Sequence, residues 1–152
     1  MARDLKDVII GVAVGAASTF LGFLAYNYLI QNPRYTGTPE PFASLTDVLT
    51  ASQYMEVAIH ASTGDAASSA IGNAIGQLQH AETYFNTAYS SGYNPVYGEL
   101  ATYTQGLIST LQTYAQQVVN LSGSALTQFQ SSTLYEFQGR LGYLYYRLEG
   151  LI

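Results

Sequence analysis

Residues 67–88 read ASSAIGNAIGQLQHAETYFNTA, with apolar members at Ala67, Ile71, Ala74, Leu78, Ala81, Phe85 and Ala88. The steps alternate four and three. A helix would gather all seven on one stripe and leave Ser, Asn, Gln and Thr on its other faces. A half-buried strand would alternate at every second residue, and this stretch does not. The spacing predicts a helix, and the same period governs the sequence on both sides of it.

Upstream, Phe42, Leu45, Leu49, Ser52, Met55 and Ile59 form a first stripe. Downstream, a third runs through Leu100, Tyr103, Leu107, Leu111, Tyr114, Val118 and Leu121. A fourth follows at Leu126, Phe129, Leu134, Phe137, Leu141, Leu144, Leu148 and Leu151. The breaks carry helix-ending chemistry: Ser62-Thr63-Gly64-Asp65, then Ser90 to Pro95, then Ser122-Gly123-Ser124. Asp65, Asn94 and Ser124 are the expected N-caps, with Pro95 at a first helical position, where its missing amide hydrogen costs nothing. Connections this short make successive helices antiparallel. Residues 42–152 are therefore expected to form an all-α, up-down four-helix bundle. Gly72 and Gly76, one turn apart, are expected either to admit a tight helix crossing or to mark a kink.

Ahead of the bundle, residues 31–41 read QNPRYTGTPEP. Three prolines in eleven residues resist helix and favour extended backbone, which predicts a short, semi-rigid linker. Before that, residues 8–30 read VIIGVAVGAASTFLGFLAYNYLI, 23 residues without a charge. As a helix they would span about 34 Å, enough for a hydrocarbon core of about 30 Å, so a single transmembrane helix is expected. A cleaved signal peptide fits less well. Cutting near Ala17 would leave an apolar end, and the tail of residues 1–7 balances Arg3 and Lys6 against Asp4 and Asp7. Those two basic residues, against Arg34 on the other side, place the N-terminus in the cytoplasm and the bulk of the chain outside it. Within the span, Gly11, Gly15, Ser18 and Gly22 repeat small residues at one-turn spacing, the pattern that lets helices pack closely in lipid.

Composition narrows the function. The 152 residues include five basic and ten acidic side chains, a net charge of −5, and no cysteine. That excludes disulfides, thiolate metal sites and a Cys nucleophile. It also argues against nucleic acid, which demands clustered Lys and Arg. Charged residues make up 10% where about 25% is usual, so the helix surfaces rest on Gln, Ser, Thr, Asn and Tyr. Such groups hydrate almost independently of pH. The pattern suits an extracytoplasmic setting, and by analogy of composition the secreted proteins of thermoacidophilic archaea. Asn120-Leu121-Ser122 is a glycosylation sequon.

No catalytic constellation emerges. A di-iron bundle needs Glu-x-x-His on two helices, but Glu56 and His60 are four apart. Helix rise sets Glu56 opposite about residue 70 and His80 opposite about residue 46, too far apart for one ion. There is no G-x-S-x-G and no phosphate-binding glycine loop after a strand. The expectation is a non-enzymatic subunit without metal or cofactor. At the end of the fourth helix, Tyr143, Tyr145, Tyr146 and Arg147 are expected to touch either lipid headgroups or a neighbouring subunit. The expected partners are membrane lipid together with copies of this chain or other envelope proteins, in a cell-envelope, surface-filament or virion assembly. The alternatives are an accessory subunit of a membrane enzyme complex and an extracytoplasmic ligand-binding or sensor module.

Overall fold

The structure, a computed structural model, describes residues 40–151, with side chains from Ala43. The tail of residues 1–7, the expected membrane span of residues 8–30, and the linker up to residue 39 lie outside the described residues. Among the described residues the chain is entirely helical, with no strand, and no helix is long and apolar enough to cross a membrane. Helix α1 covers Glu40–His60, α2 Gly64–Ser90 and α3 Val96–Val118. A fourth rod is continuous but composite: α4 (Gly123–Gln128), a π-helical turn (Phe129–Leu134) and α5 (Tyr135–Glu149). Because α1 starts at Glu40, Pro41 falls in its first turn, where a lost donor is harmless.

Cross-helix contacts fix the topology. Asp47 meets His80 between α1 and α2, Ser68 meets Ala115 between α2 and α3, and Ser52 meets Gln138 between α1 and α5. Tyr103 and Tyr114 of α3 meet Tyr143 and Phe129 of the fourth rod. Between α3 and the fourth rod one number rises as the other falls, and the short turns after α1 and α2 return the chain alongside itself, so neighbouring rods are antiparallel. The four rods form a closed ring in which the fourth returns to α1.

The stripe on α2 is buried as its spacing requires: Ile71, Ala74, Leu78, Ala81 and Phe85 are inaccessible to solvent, and Ala88 nearly so. Five of its buried residues are alanines (67, 70, 74, 81 and 88), so the backbones of α1 and α3 approach this helix closely. The largest fully buried side chains are Phe85 of α2, Phe137 of α5 and Met55 of α1, with Leu111 of α3 and Leu141, Leu144 and Leu148 of α5 around them. Each such side chain stabilises the fold by roughly 1.5–3 kcal/mol through lost water contact. Gly72 and Gly76 do neither thing expected of them. Both are exposed, a Cβ at either would meet nothing within 4 Å, and α2 runs unbroken through them.

The helix ends follow local chemistry, with a shift of the N-cap before each of α2, α3 and α4. Thr63, not Asp65, caps α2: its hydroxyl oxygen accepts from the Ala66 amide at 3.1 Å, and Asp65 lies exposed in the first turn. Thr63 wins because α2 starts two residues earlier than expected, at Gly64, whose bare Cα fits against the last carbonyls of α3. At the other end of α2, Gly92 adopts φ +77°, and Tyr93 donates its amide to the Ala88 carbonyl, closing a glycine-terminated helix end. Asn94 Oδ1 then accepts from the Val96 amide at 3.0 Å, but α3 starts one residue later than expected, at Val96, so Pro95 and not Asn94 stands at its N-cap. Before α4, Ser122 stands at the N-cap rather than Ser124, without a side-chain cap bond; its carbonyl accepts from the Leu126 amide, and Gly123 takes the left-handed φ of +57°.

The π turn marks where the fourth stripe slips. Its inner positions step by three and four except between Phe129 and Leu134, which are five apart. A π turn absorbs the surplus by widening the helix there, and both Leu126 and Leu134 remain buried.

Candidate functional site

Antiparallel packing gives the bundle two unlike ends. The near end, where α1 starts, also contains the α2–α3 corner and the end of α5. The far end gathers the α1–α2 turn and the α3–α4 turn.

The residues expected to make contacts on α5 are placed unevenly. Tyr145 is 3% exposed and part of the core. Burial, with the Glu149 charge adding to it, pushes its phenol up to about 12, so it stays neutral. Tyr143 is half-buried, with its ring edge-on to Tyr103 at 5.3 Å between centroids. Arg147 donates to the Tyr143 hydroxyl at 2.9 Å, and its guanidinium lies 5.9 Å from the centre of that ring. Tyr103 in turn donates its hydroxyl to the Arg140 carbonyl at 3.2 Å. Tyr146 is half-buried. Tyr143 thus joins α5 to Tyr103 of α3 while Arg147 braces it from within α5, and the surface each still offers is partial.

The open aromatic surface lies one corner away. Tyr89 is 55% exposed and Tyr93 68%, the two most open large apolar side chains at the near end. The Tyr89 ring rests on Gly98, where a Cβ would come within 2.9 Å of it. Beside that ring, Pro95, Gly98, Glu99, Thr102 and Tyr103 complete an open groove of about 750 Å³ on the α2–α3 flank. Residues 83–98 carry no charge, so the corner is neutral from one end to the other. Sequence spacing did not single these tyrosines out, because they lie off the apolar stripe. The available signal was a charge-free stretch around a turn.

The titratable groups are dispersed. His80 Nδ1 lies 2.7 Å from Asp47 Oδ2, and His60 Nε2 lies 3.4 Å from Glu56 Oε1; both histidines are exposed. Burial raises the Asp47 carboxyl above its ordinary value, against the opposing pull of His80. Burial also raises Glu149. Among the described residues no three His, Asp or Glu side chains gather as metal ligands would.

The far end is closed by backbone chemistry. Gln130, in the π turn, donates its amide to the Ala58 carbonyl at 3.0 Å and to the Ala61 carbonyl at 2.7 Å, satisfying the last acceptors of α1. Deeper in, Gln138 accepts from the Ser52 hydroxyl and donates to the Ser52 carbonyl, both at 3.0 Å. Asn120, the sequon residue, is exposed at this end. Gly11, Gly15, Ser18 and Gly22 lie outside the described residues.

The comparisons with known proteins return nothing. No family model, curated protein or solved structure matches this chain.

Proposed function

We propose that this chain is a membrane-anchored structural subunit that works by assembly rather than catalysis, with its bundle held outside the cytoplasm. The observation that carries the reading is the uncharged 23-residue run at residues 8–30, joined by a proline-rich linker to the near end of a bundle. A run of that length and polarity is stable in lipid, and its small residues at one-turn spacing supply a packing face there. The surface supports the same reading: neutral polar side chains and an uncapped aromatic corner suit lasting contacts with lipid or protein. A cell-envelope layer, a surface filament or a virion membrane layer, archaeal in setting, is the class of assembly that fits.

Cross-linking in native membranes tests this. A ladder of homo-oligomers supports it, and a product that stays monomeric and extracts with alkaline carbonate overturns it. A single heteromeric product with an enzyme complex would move the chain to the accessory-subunit reading.

A further inference from the structure

We infer that the α2–α3 corner, residues 89–95, is a membrane-contact surface that seats the near end of the bundle on the headgroup layer of a neutral or zwitterionic bilayer. This rests on residues 8–30 being the anchor. What it adds is the orientation of the bundle and the residues that set it.

Reach comes first. Residues 31–39 separate the apolar run from α1, and nine residues extend to about 30 Å at most. Helix α2, with 27 residues, is about 40 Å long. The linker is thus shorter than the bundle, and it joins at the end that carries the corner. The near end is tethered within one linker length of the bilayer, and the far end stands roughly another bundle length away. Tethering makes even a weak surface contact intramolecular, which raises its effective concentration.

Chemistry comes second. Tyr89 and Tyr93 present amphipathic rings, apolar on their faces and hydrogen-bonding at the hydroxyl, the side-chain type that favours the boundary between acyl chains and water. The backbone of the corner is fixed by Gly92 in its left-handed conformation, the Tyr93 amide on Ala88 and the Asn94 side chain on the Val96 amide, and the Tyr89 ring rests on Gly98. Little conformational entropy is then lost on contact.

Charge decides the lipid. The near end offers Arg147 against Glu99 and Glu149, an acidic balance that an anionic headgroup layer would repel. A neutral or zwitterionic surface carries no such penalty, and the uncharged corner loses no ionic hydration on meeting it. A second copy of the chain is the weaker occupant. A projecting corner offers little of the roughly 800 Å² per partner that a stable interface buries.

The chain has no tryptophan, so Tyr93→Trp, Val119→Trp and Phe20→Trp each introduce a sole tryptophan, excited selectively at the red edge over the tyrosines of the full chain. Each variant is reconstituted into phosphatidylcholine vesicles. The expected result is that a headgroup-level spin-labelled lipid quenches the residue-93 probe several-fold more than the residue-119 probe. Aqueous acrylamide should do the reverse, and acyl-chain brominated lipid should quench the residue-20 probe. Quenching by lipid at position 20 but not at 93 would overturn the corner contact and leave the anchor standing. No lipid quenching at position 20 would overturn both. A residue-93 probe shielded from both quenchers, with Tyr93→Cys forming disulfide-linked dimers, would replace the bilayer with a second copy.

Discussion

At the far end of the bundle, chain meets chain. Gln130 closes the last carbonyls of α1, Thr63 caps α2, and the bare Cα of Gly64 lies against the terminal carbonyls of α3. At the near end the corresponding corner closes only on itself, and its two tyrosines face outward. Both ends are closed by hydrogen bonds, the far end through Gln130 and Thr63 and the near end through the Tyr93 amide and Asn94. The far end spends its special residues on stability. The near end keeps large aromatic surface unpaired, and open surface of that kind is where a function of contact belongs.

Substitutions can break this contrast. The largest effect is expected from Gly64→Ala, whose methyl would collide with the Val118, Val119 and Leu121 carbonyls. A loss of about 3 kcal/mol is expected, measured by chemical denaturation of the detergent-solubilised chain. Gln130→Leu should cost about 1–2 kcal/mol, since it removes the side-chain donor from the Ala61 carbonyl and leaves the Ala58 carbonyl with the Ala61 amide alone, while keeping side-chain volume. Gly72→Ala and Gly76→Ala should each stabilise by up to about 1 kcal/mol, because both sites are helical, exposed and unobstructed. A loss at either would show that a partner covers that face. The smallest effect on stability, within about 0.5 kcal/mol, is expected for Tyr93→Ser, and that near-silence sharpens the contrast if membrane contact falls at the same time.

Acid separates this fold from an ordinary one. The Asp47 and Glu149 carboxyls are both raised by burial, so each binds its proton more readily folded than unfolded. Their contribution is full below the ordinary carboxylate range and fades as pH rises through the raised values. The melting temperature is therefore expected to be higher near pH 4 than near pH 7, and Glu149→Gln should flatten that slope. A melting temperature that drops on acidification would contradict this reading of burial.

What the sequence revealed was what the period of burial controls. Every inner position read on α2 is buried, because alternate steps of four and three leave a helix one apolar face. The alanines there carried a second message, close approach, that spacing alone does not express. Gln130 and Gln138 were illegible for the opposite reason. They are polar side chains at inward positions, and only a partner helix brought alongside by the fold reveals why they are tolerated. The cap at Thr63 lay within the turn that had been located, but choosing it over Asp65 needed the contact between Gly64 and α3. Tyr145 and Tyr143 were read from a crowded circumference as outward-facing. Tyr145 stands one turn beyond Leu141 and so enters the core beside the stripe, while Tyr143 meets Tyr103 of α3.

The closing of the ring has a consequence for biosynthesis. Helices α1, α2 and α3 pair with their immediate successors, whereas the bonds from Gln130 and Gln138 to α1 join residues 69 to 86 positions apart. While the polypeptide emerges from the ribosome, the inward seams of α1 and α3 stay uncovered until the final rod is made. Residues 40–122 on their own should therefore bind hydrophobic dyes and holdase chaperones more strongly than residues 40–152 do.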